Sequence, residues 1–306
     1  MRVAVIDIGT NSTRMLIADV DSPGVSEIAR RTTVTNMGRG VDHTGMIRSD
    51  AVEDVCGVIA DYKSGYEEMG VERVMAIATS AVRDAVNGAA FLAELRERFE
   101  LDARMLTGEE EAQLTYLGAT AHRLESDPAL VFDIGGGSTE LIVGRGREIA
   151  FHTSLQAGTI RQSERHLSAD PPNPHELEDL AADVRTLIDR AVADQPDAKP
   201  RRAIAVAGTP TSLAAIDQGL EPYDRDRVHG YRLGMQRIQR MLSRLSSLPL
   251  AERLRVPGLH PGRAPTIVAG TVILVQVMRA FSLQEVEVSE LDLLQGGALS
   301  AALAPA

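Results

Sequence analysis

Residues 5–17 read VIDIGTNSTRMLI and residues 131–143 read VFDIGGGSTELIV, an internal echo that constrains the fold more than any other feature of the chain. Each copy runs through an apolar strand, an Asp, an apolar residue, a Gly, a small polar turn and a second apolar strand. Asp7 aligns with Asp133, Gly9 with Gly135, Ser12 with Ser138 and Thr13 with Thr139. A repeat at this spacing implies two copies of one domain rather than a solenoid of short units. The 306 residues leave room for both, each with its own core.

Strand and helix patterns alternate around the two hairpins. Residues 26–35 are rich in β-branched residues and read as a third strand. A helix over 50–69 follows from Val52, Val55, Ile59, Tyr62 and Tyr66 at three- and four-residue spacing. Next come a strand at 74–78, a helix through Phe91 to Phe99, a strand near 103–106 and a helix over 109–121. The second copy opens at Leu130, with strands at 141–143 and 149–153 and a helix through Leu177 to Ile188. A buried strand at 203–207 precedes helices at 235–248, 266–281 and 291–303. This order predicts an α/β fold of two domains with a ligand cleft between them. The domains are placed at 1–122 and 123–306, with the C-terminal helix a candidate to pack back on the first.

Composition narrows the function. The net charge of −11, with 3% aromatics and no Trp, argues against nucleic acid and a membrane surface as partners. It leaves room for a small polyanion at a locally positive site. Cys56 is the only cysteine and is expected to be buried on a helix, which points to a reducing, cytoplasmic setting. The longest apolar stretch, 266–281, is interrupted by Gly270, Gln276 and Arg279 and is too short to span a bilayer. The seven histidines lack zinc-ligand spacing.

The Gly-rich turns offer backbone N–H groups to a phosphate, and the hydroxyls of Thr10, Ser12, Ser138 and Thr139 are candidate further donors. Asp7 and Asp133, at strand ends, would face each other across the cleft and hold Mg²⁺ directly or through water. In the segment 107–111, Thr107 and Glu110 fit a capping box, which leaves Glu111 free. Spacing alone makes Glu111 either a general base or one more carboxylate at a helix start. Arg83, read as lying near a helix start, needs a compensating anion there, either a neighbouring carboxylate such as Asp84 or a substrate phosphate. The Gly208-Thr209-Pro210-Thr211 turn between strand and helix is a further phosphate candidate.

Taken in order, several blocks resemble the exopolyphosphatase and guanosine pentaphosphate phosphohydrolase family of the actin-like (RNase H-like) superfamily. They are Asp7-Ile-Gly-Thr-Asn-Ser12 with Arg14, Ala78-Thr-Ser80 with Arg83 and Asn87, and Gly108-Glu-Glu-Glu-Ala112. They continue through Asp133-Ile-Gly-Gly-Gly-Ser-Thr-Glu140, Ala207-Gly-Thr209 and His229-Gly-Tyr-Arg-Leu233, covering nearly the whole chain. The resemblance implies that Glu111 is the base and that Asp133 and Glu140 bind Mg²⁺ and position the water, with Asp7 completing the metal site. It implies that Asn11, Ser12, Arg83, Gly135, Gly136, Gly137 and Ser138 hold phosphates, beside Thr10 and the Gly208-Thr209 turn, which are candidates from the residues themselves. The substrate would be inorganic polyphosphate, or alternatively guanosine pentaphosphate, and a homodimer is the partner the family suggests. A kinase of the same superfold, or a non-catalytic nucleotide-binding protein, are the readings from other classes. Two departures stand out: Gly262-Arg-Ala-Pro265, where the family often has an acid after Arg-Ala, and Pro210 after Gly-Thr. Pro265 is expected at the first position of its helix.

Overall fold

The computed structural model describes residues 1–21, 24–121, 127–193, 200 and 202–303. The chain divides into two compact units, Met1–His122 with Asp292–Ala306, and Arg123–Leu291. The domain boundary expected at residues 122–123 lies outside the described residues.

The first unit is built from β1 (Arg2–Ile8), β2 (Ser12–Asp21), β3 (Gly24–Val34), α1 (Val41–Thr44), α2 (Ser49–Glu68) and β4 (Arg73–Ala78). It continues with α3 (Ser80–Asp84), α4 (Gly88–Phe99), β5 (Ala103–Met105) and α5 (Gly108–Thr120). The sheet order is β3-β2-β1-β4-β5. β1 pairs antiparallel with β2 and parallel with β4, which pairs parallel with β5. Both faces of β1 are covered, so it reads as an unbroken apolar run. Ala4, Ile6 and Ile8 point to one side, into a core shared with Val55, Cys56, Ile59 and Tyr62 of α2. Val3 and Val5 point to the other, where Leu114 of α5 meets Leu293, Leu294 and Ala298 of the chain's last helix.

In the second unit come β6 (Ala129–Ile134), β7 (Thr139–Arg145), β8 (Glu148–Leu155), α6 (Thr159–His166), α7 (Pro174–Val192) and β9 (Arg202–Val206). After these lie α8 (Gly208–Gln218), α9 (Arg225–Val228), β10 (Arg232–Gly234), α10 (Met235–Ser247), α11 (Leu250–Arg253), α12 (Ile267–Ala280) and β11 (Glu285–Val288). The last helix, α13 (Leu293–Leu303), belongs to the first unit. Read from β8, the second sheet runs β8-β7-β6-β9-β11-β10. Its first five strands repeat the order and directions of the first sheet, and β10 is an added edge strand.

The echo extends below the level of topology. In each hairpin the Gly N–H donates to the Ser carbonyl at 3.0 Å, Gly9 to Ser12 and Gly135 to Ser138. The second and third strands shift register between Ile17 and Ala18 in one unit and between Val143 and Gly144 in the other, the aligned position. Such bulges bend the ribbon and re-aim its side chains.

Among the elements that escape a periodicity reading are α6, β10 and β11. α6 buries only Thr159, Ile160 and Gln162, and β10 and β11 span three and four residues. Pro265 does not start its helix: α12 begins at Ile267 with Thr266 as N-cap, because Pro261–Arg263 already form a turn of 3-10 helix just before it.

Candidate anion-binding site

Parallel strands leave their carboxyl ends open where the chain turns into helices, and α/β sheets bind ligands at that edge. In the first unit β1, β4 and β5 deliver Asp7, the 9–12 turn, α3 and α5 to one such edge. Thr79 N–H donates to Ile8 O, Ala81 N–H to Thr10 Oγ1, and Leu106 N–H to Ala78 O. Arg83 Nη1 donates to Leu106 O at 2.8 Å and meets Glu111 Oε2 at 3.3 Å. The buried Glu111 is therefore held by a cation from the short helix α3. Arg83 lies in the last turn of the five-residue α3, not at a helix start, so the dipole argument for an opposing anion does not apply. Its carboxylate partner is Glu111. The capping box forms as expected, with Thr107 Oγ1 accepting from Glu110 N–H and the Glu110 carboxylate accepting from Thr107 N–H.

The turn itself is held by its carbonyls. Thr35 and Asn36 N–H donate to Asn11 O, and Gly38 N–H donates to Thr10 O. Gly38 sits so tightly that a Cβ there would lie 2.1 Å from Thr10 Cγ2. The N–H groups of Thr10 and Asn11 have no partner among the described residues. The second unit repeats the device: Thr159 N–H donates to Gly135 O, and Ile160 and Arg161 N–H donate to Gly136 O. Arg161 Nε takes Gly137 O at 2.8 Å. The N–H groups of Gly136 and Gly137 are left without a partner among the described residues. Carbonyls tied back and successive amides free make a nest for an anion.

Ser12 and Ser138 are buried in these turns. Thr139 is not a phosphate donor: its hydroxyl donates to Ala157 O at 2.5 Å and is fully buried. A second candidate anion-binding feature of the second unit is the turn into α8. Ala207 has φ 71°, a conformation rare for a residue with a side chain, and it delivers Gly208 and Thr209 to the helix start. The Arg263 guanidinium covers Gly208 so closely that a Cβ there would lie 1.1 Å from Nη1. Pro210 sits inside the first turn of α8, where its missing N–H costs no helical bond.

The two aspartates differ in their partners. Opposite Asp7 on β2 stands Arg14, and opposite Asp133 on β7 stands Glu140. Arg14 donates to Asp7 Oδ2 at 2.9 and 2.6 Å and also to Asp292. Asp7 Oδ1 is buried with no partner. Burial pushes the Asp7 carboxyl above its ordinary range despite Arg14. Asp292 suffers the same burial, but Arg14, Arg30 and the Leu294 N–H together hold it below that range. One arginine thus serves two buried carboxylates, and Asp7 is the one left short of positive charge. On the second sheet two carboxylates face one another directly, an arrangement that favours a shared cation. Ser154 Oγ donates to Glu140 Oε1 at 2.9 Å.

Among the described residues no three metal-ligating side chains cluster. Mg²⁺ is commonly held by one or two carboxylates and its substrate's phosphates, so the facing Asp133 and Glu140 of the second unit fit it, and in the first unit the orphaned Asp7 oxygen is a carboxylate donor of the same kind. Arg14, Asp292, Arg161 and Arg263 escaped the sequence reading as site residues. Only Arg14, inside the echo, carried a signal that could have revealed it.

Repeated nests at strand ends, with a buried carboxylate held by a cation, make a candidate anion site in an α/β protein. A model of the Ppx/GppA phosphatase family matches residues 16–304, and the chain belongs to that family. It is 34% identical to exopolyphosphatase 2 of Mycobacterium tuberculosis over 98% of both chains. A solved exopolyphosphatase-like protein superposes with a TM-score of 0.93 at 33% identity, covering 98% of this chain and 97% of that one. The Aquifex aeolicus family member gives 0.84 at 31% identity, covering 99% and 98%. No helix among the described residues is long and apolar enough to cross a membrane.

Proposed function

We propose that this protein is an exopolyphosphatase, hydrolysing the terminal phosphoanhydride of inorganic polyphosphate with Mg²⁺ and releasing orthophosphate. The observation that carries this reading is the pair of matched nests whose carbonyls are tied back and whose amides at Thr10, Asn11, Gly136 and Gly137 are free. The name of the M. tuberculosis relative agrees with it.

In this reading each strand-end edge takes phosphate oxygens of the substrate. Thr10, Asn11, Ser12, Gly135, Gly136, Gly137 and Ser138 hold the terminal phosphates, with Gly208 and Thr209 adding the start of α8. Asp133, Glu140 and Asp7 would hold Mg²⁺, which offsets negative charge on the phosphoryl oxygens when bound. Glu111 accepts a proton from water as the water oxygen attacks the terminal phosphorus. The bridging P–O bond breaks, and the shortened chain leaves with the bond's electron pair. Arg83 holds Glu111 in position and supplies positive charge toward the phosphoryl group. Positioning and charge stabilisation supply most of the rate in such transfers.

The test compares phosphate release from polyphosphate and from guanosine pentaphosphate at matched Mg²⁺. Faster turnover of polyphosphate is expected, and release from guanosine pentaphosphate alone would move the assignment to that substrate. ATP-dependent labelling of an acceptor, with neither substrate hydrolysed, would replace the hydrolase with a kinase.

A further inference from the structure

Residues 235–263 carry Arg237, Arg240, Arg244, Arg253, Arg255 and Arg263 against a single acid, Glu252, in a protein of net charge −11. Arg237 is spent on Asp217 at 2.8 Å, and the buried Arg253 is spent on Asp170 at 2.9 Å. Arg240, Arg244 and Arg255 are exposed, and their guanidinium groups have no partner among the described residues. The fold does not need them: α10 is anchored by Ile238, Met241 and Leu245. Positions 237, 240 and 244 fall at helical spacing and form one stripe along α10.

The chain leads this stripe back to the candidate site. After α11 it runs against α8, where a Cβ on Gly258 would lie 2.6 Å from the backbone of Ala215. Ala215 stands about 10 Å along the helix from Gly208, at 1.5 Å per residue. The same segment ends with Arg263 on Gly208 itself. Arg255, three residues before Gly258, therefore lies between the α10 stripe and the Gly208 turn along this path.

We propose that Arg240, Arg244 and Arg255 form a track for the internal phosphates of a polyphosphate whose end lies at the Gly208 turn. The inference rests on the exopolyphosphatase reading and deepens it. A polyphosphate presents charge at every unit, the arginine fork suits phosphate oxygens, and release of counterions from the polymer favours binding. A continuous chain of phosphates is the ligand whose charge spacing suits the turn and the stripe together.

The test is the triple variant R240Q/R244Q/R255Q, whose changes are all at exposed side chains. Long-chain polyphosphate binding, measured in EDTA so that turnover plays no part, is expected to weaken about tenfold. Its dependence on log salt should become shallower by about 2, the share of three lost contacts at roughly 0.7 each. The KM for long-chain polyphosphate should rise in parallel, while kcat and KM for tripolyphosphate stay unchanged. Unchanged long-chain affinity and salt slope, or an equal loss on both substrates, would overturn the track. So would a larger loss of single-stranded RNA binding than of polyphosphate binding. If the wild type binds the polymer but releases no phosphate, the hydrolase reading fails, and the binding contrast still decides the track.

Discussion

Arg14 faces Asp7 across the first hairpin with Nη2 2.6 Å from Oδ2, and it shares the same guanidinium with Asp292. At the aligned position of the second hairpin, Glu140 faces Asp133. The two hairpins share a backbone and differ in charge: one sets an arginine opposite its aspartate and the other sets a second carboxylate there.

The raised Asp7 carboxyl makes a signed prediction. Burial favours its neutral form, so its contribution to stability is complete below the ordinary carboxylate range and is lost as pH rises through the raised value. Above that value the ionised group costs stability. Asp7→Asn should therefore raise the melting temperature in metal-free buffer by about 2–4 °C and lower turnover about a hundredfold or more. The gain should shrink on acidification. A lower melting temperature with unchanged turnover would contradict both roles.

Glu111→Gln keeps the shape of the side chain and removes its ability to take a proton. Turnover should fall about a hundredfold or more while KM changes little. Near-normal phosphate release would remove Glu111 as the base.

Glu140→Gln removes one of two facing carboxylates without disturbing the strand pair. The Mg²⁺ concentration for half-maximal activity should rise about 10–100-fold, with activity recovered at saturating metal. A titration that overlays the wild type would place the metal elsewhere.

Gly118 and Gly296 let α5 and α13 cross with their backbones in contact. A Cβ on Gly118 would lie 1.9 Å from Asp292 O, and one on Gly296 would lie 1.8 Å from Leu114 O. Gly296→Ala should cost about 1–3 kcal/mol in denaturant unfolding. Because α5 also carries Glu111, turnover should drop with it. The two Ala changes act on one crossing, so their costs should not add.

Glu176 caps α7 and also gathers the Ser168 hydroxyl and the Ser168 and Ala169 N–H groups, led by the hydroxyl, which together lower its pKa to about 2. A lowered carboxylate stabilises the fold above its unfolded value and loses that contribution as pH falls toward 2. Glu176→Gln should melt below the wild type at neutral pH, and the two curves should converge between about pH 4.5 and 2. A pH-independent gap would assign the effect to packing.

Much of this was legible in the sequence, because the echo aligns Asp7 with Asp133 and puts each turn at a strand end, and local periodicity is enough to locate most helices. Glu111 stood out because the capping box accounts for its neighbour Glu110. The chain order alone could not pair Arg83 with Glu111, 28 residues on, or bring Asp292 to Arg14, 278 residues away. It also could not reveal that Thr139 spends its hydroxyl on Ala157, or that Arg263 lies over Gly208. Hydrophobic period and turn chemistry act between near neighbours and are therefore written locally. Charge pairing, burial and the freedom of a backbone amide depend on which distant segment packs alongside, and only the tertiary structure decides that.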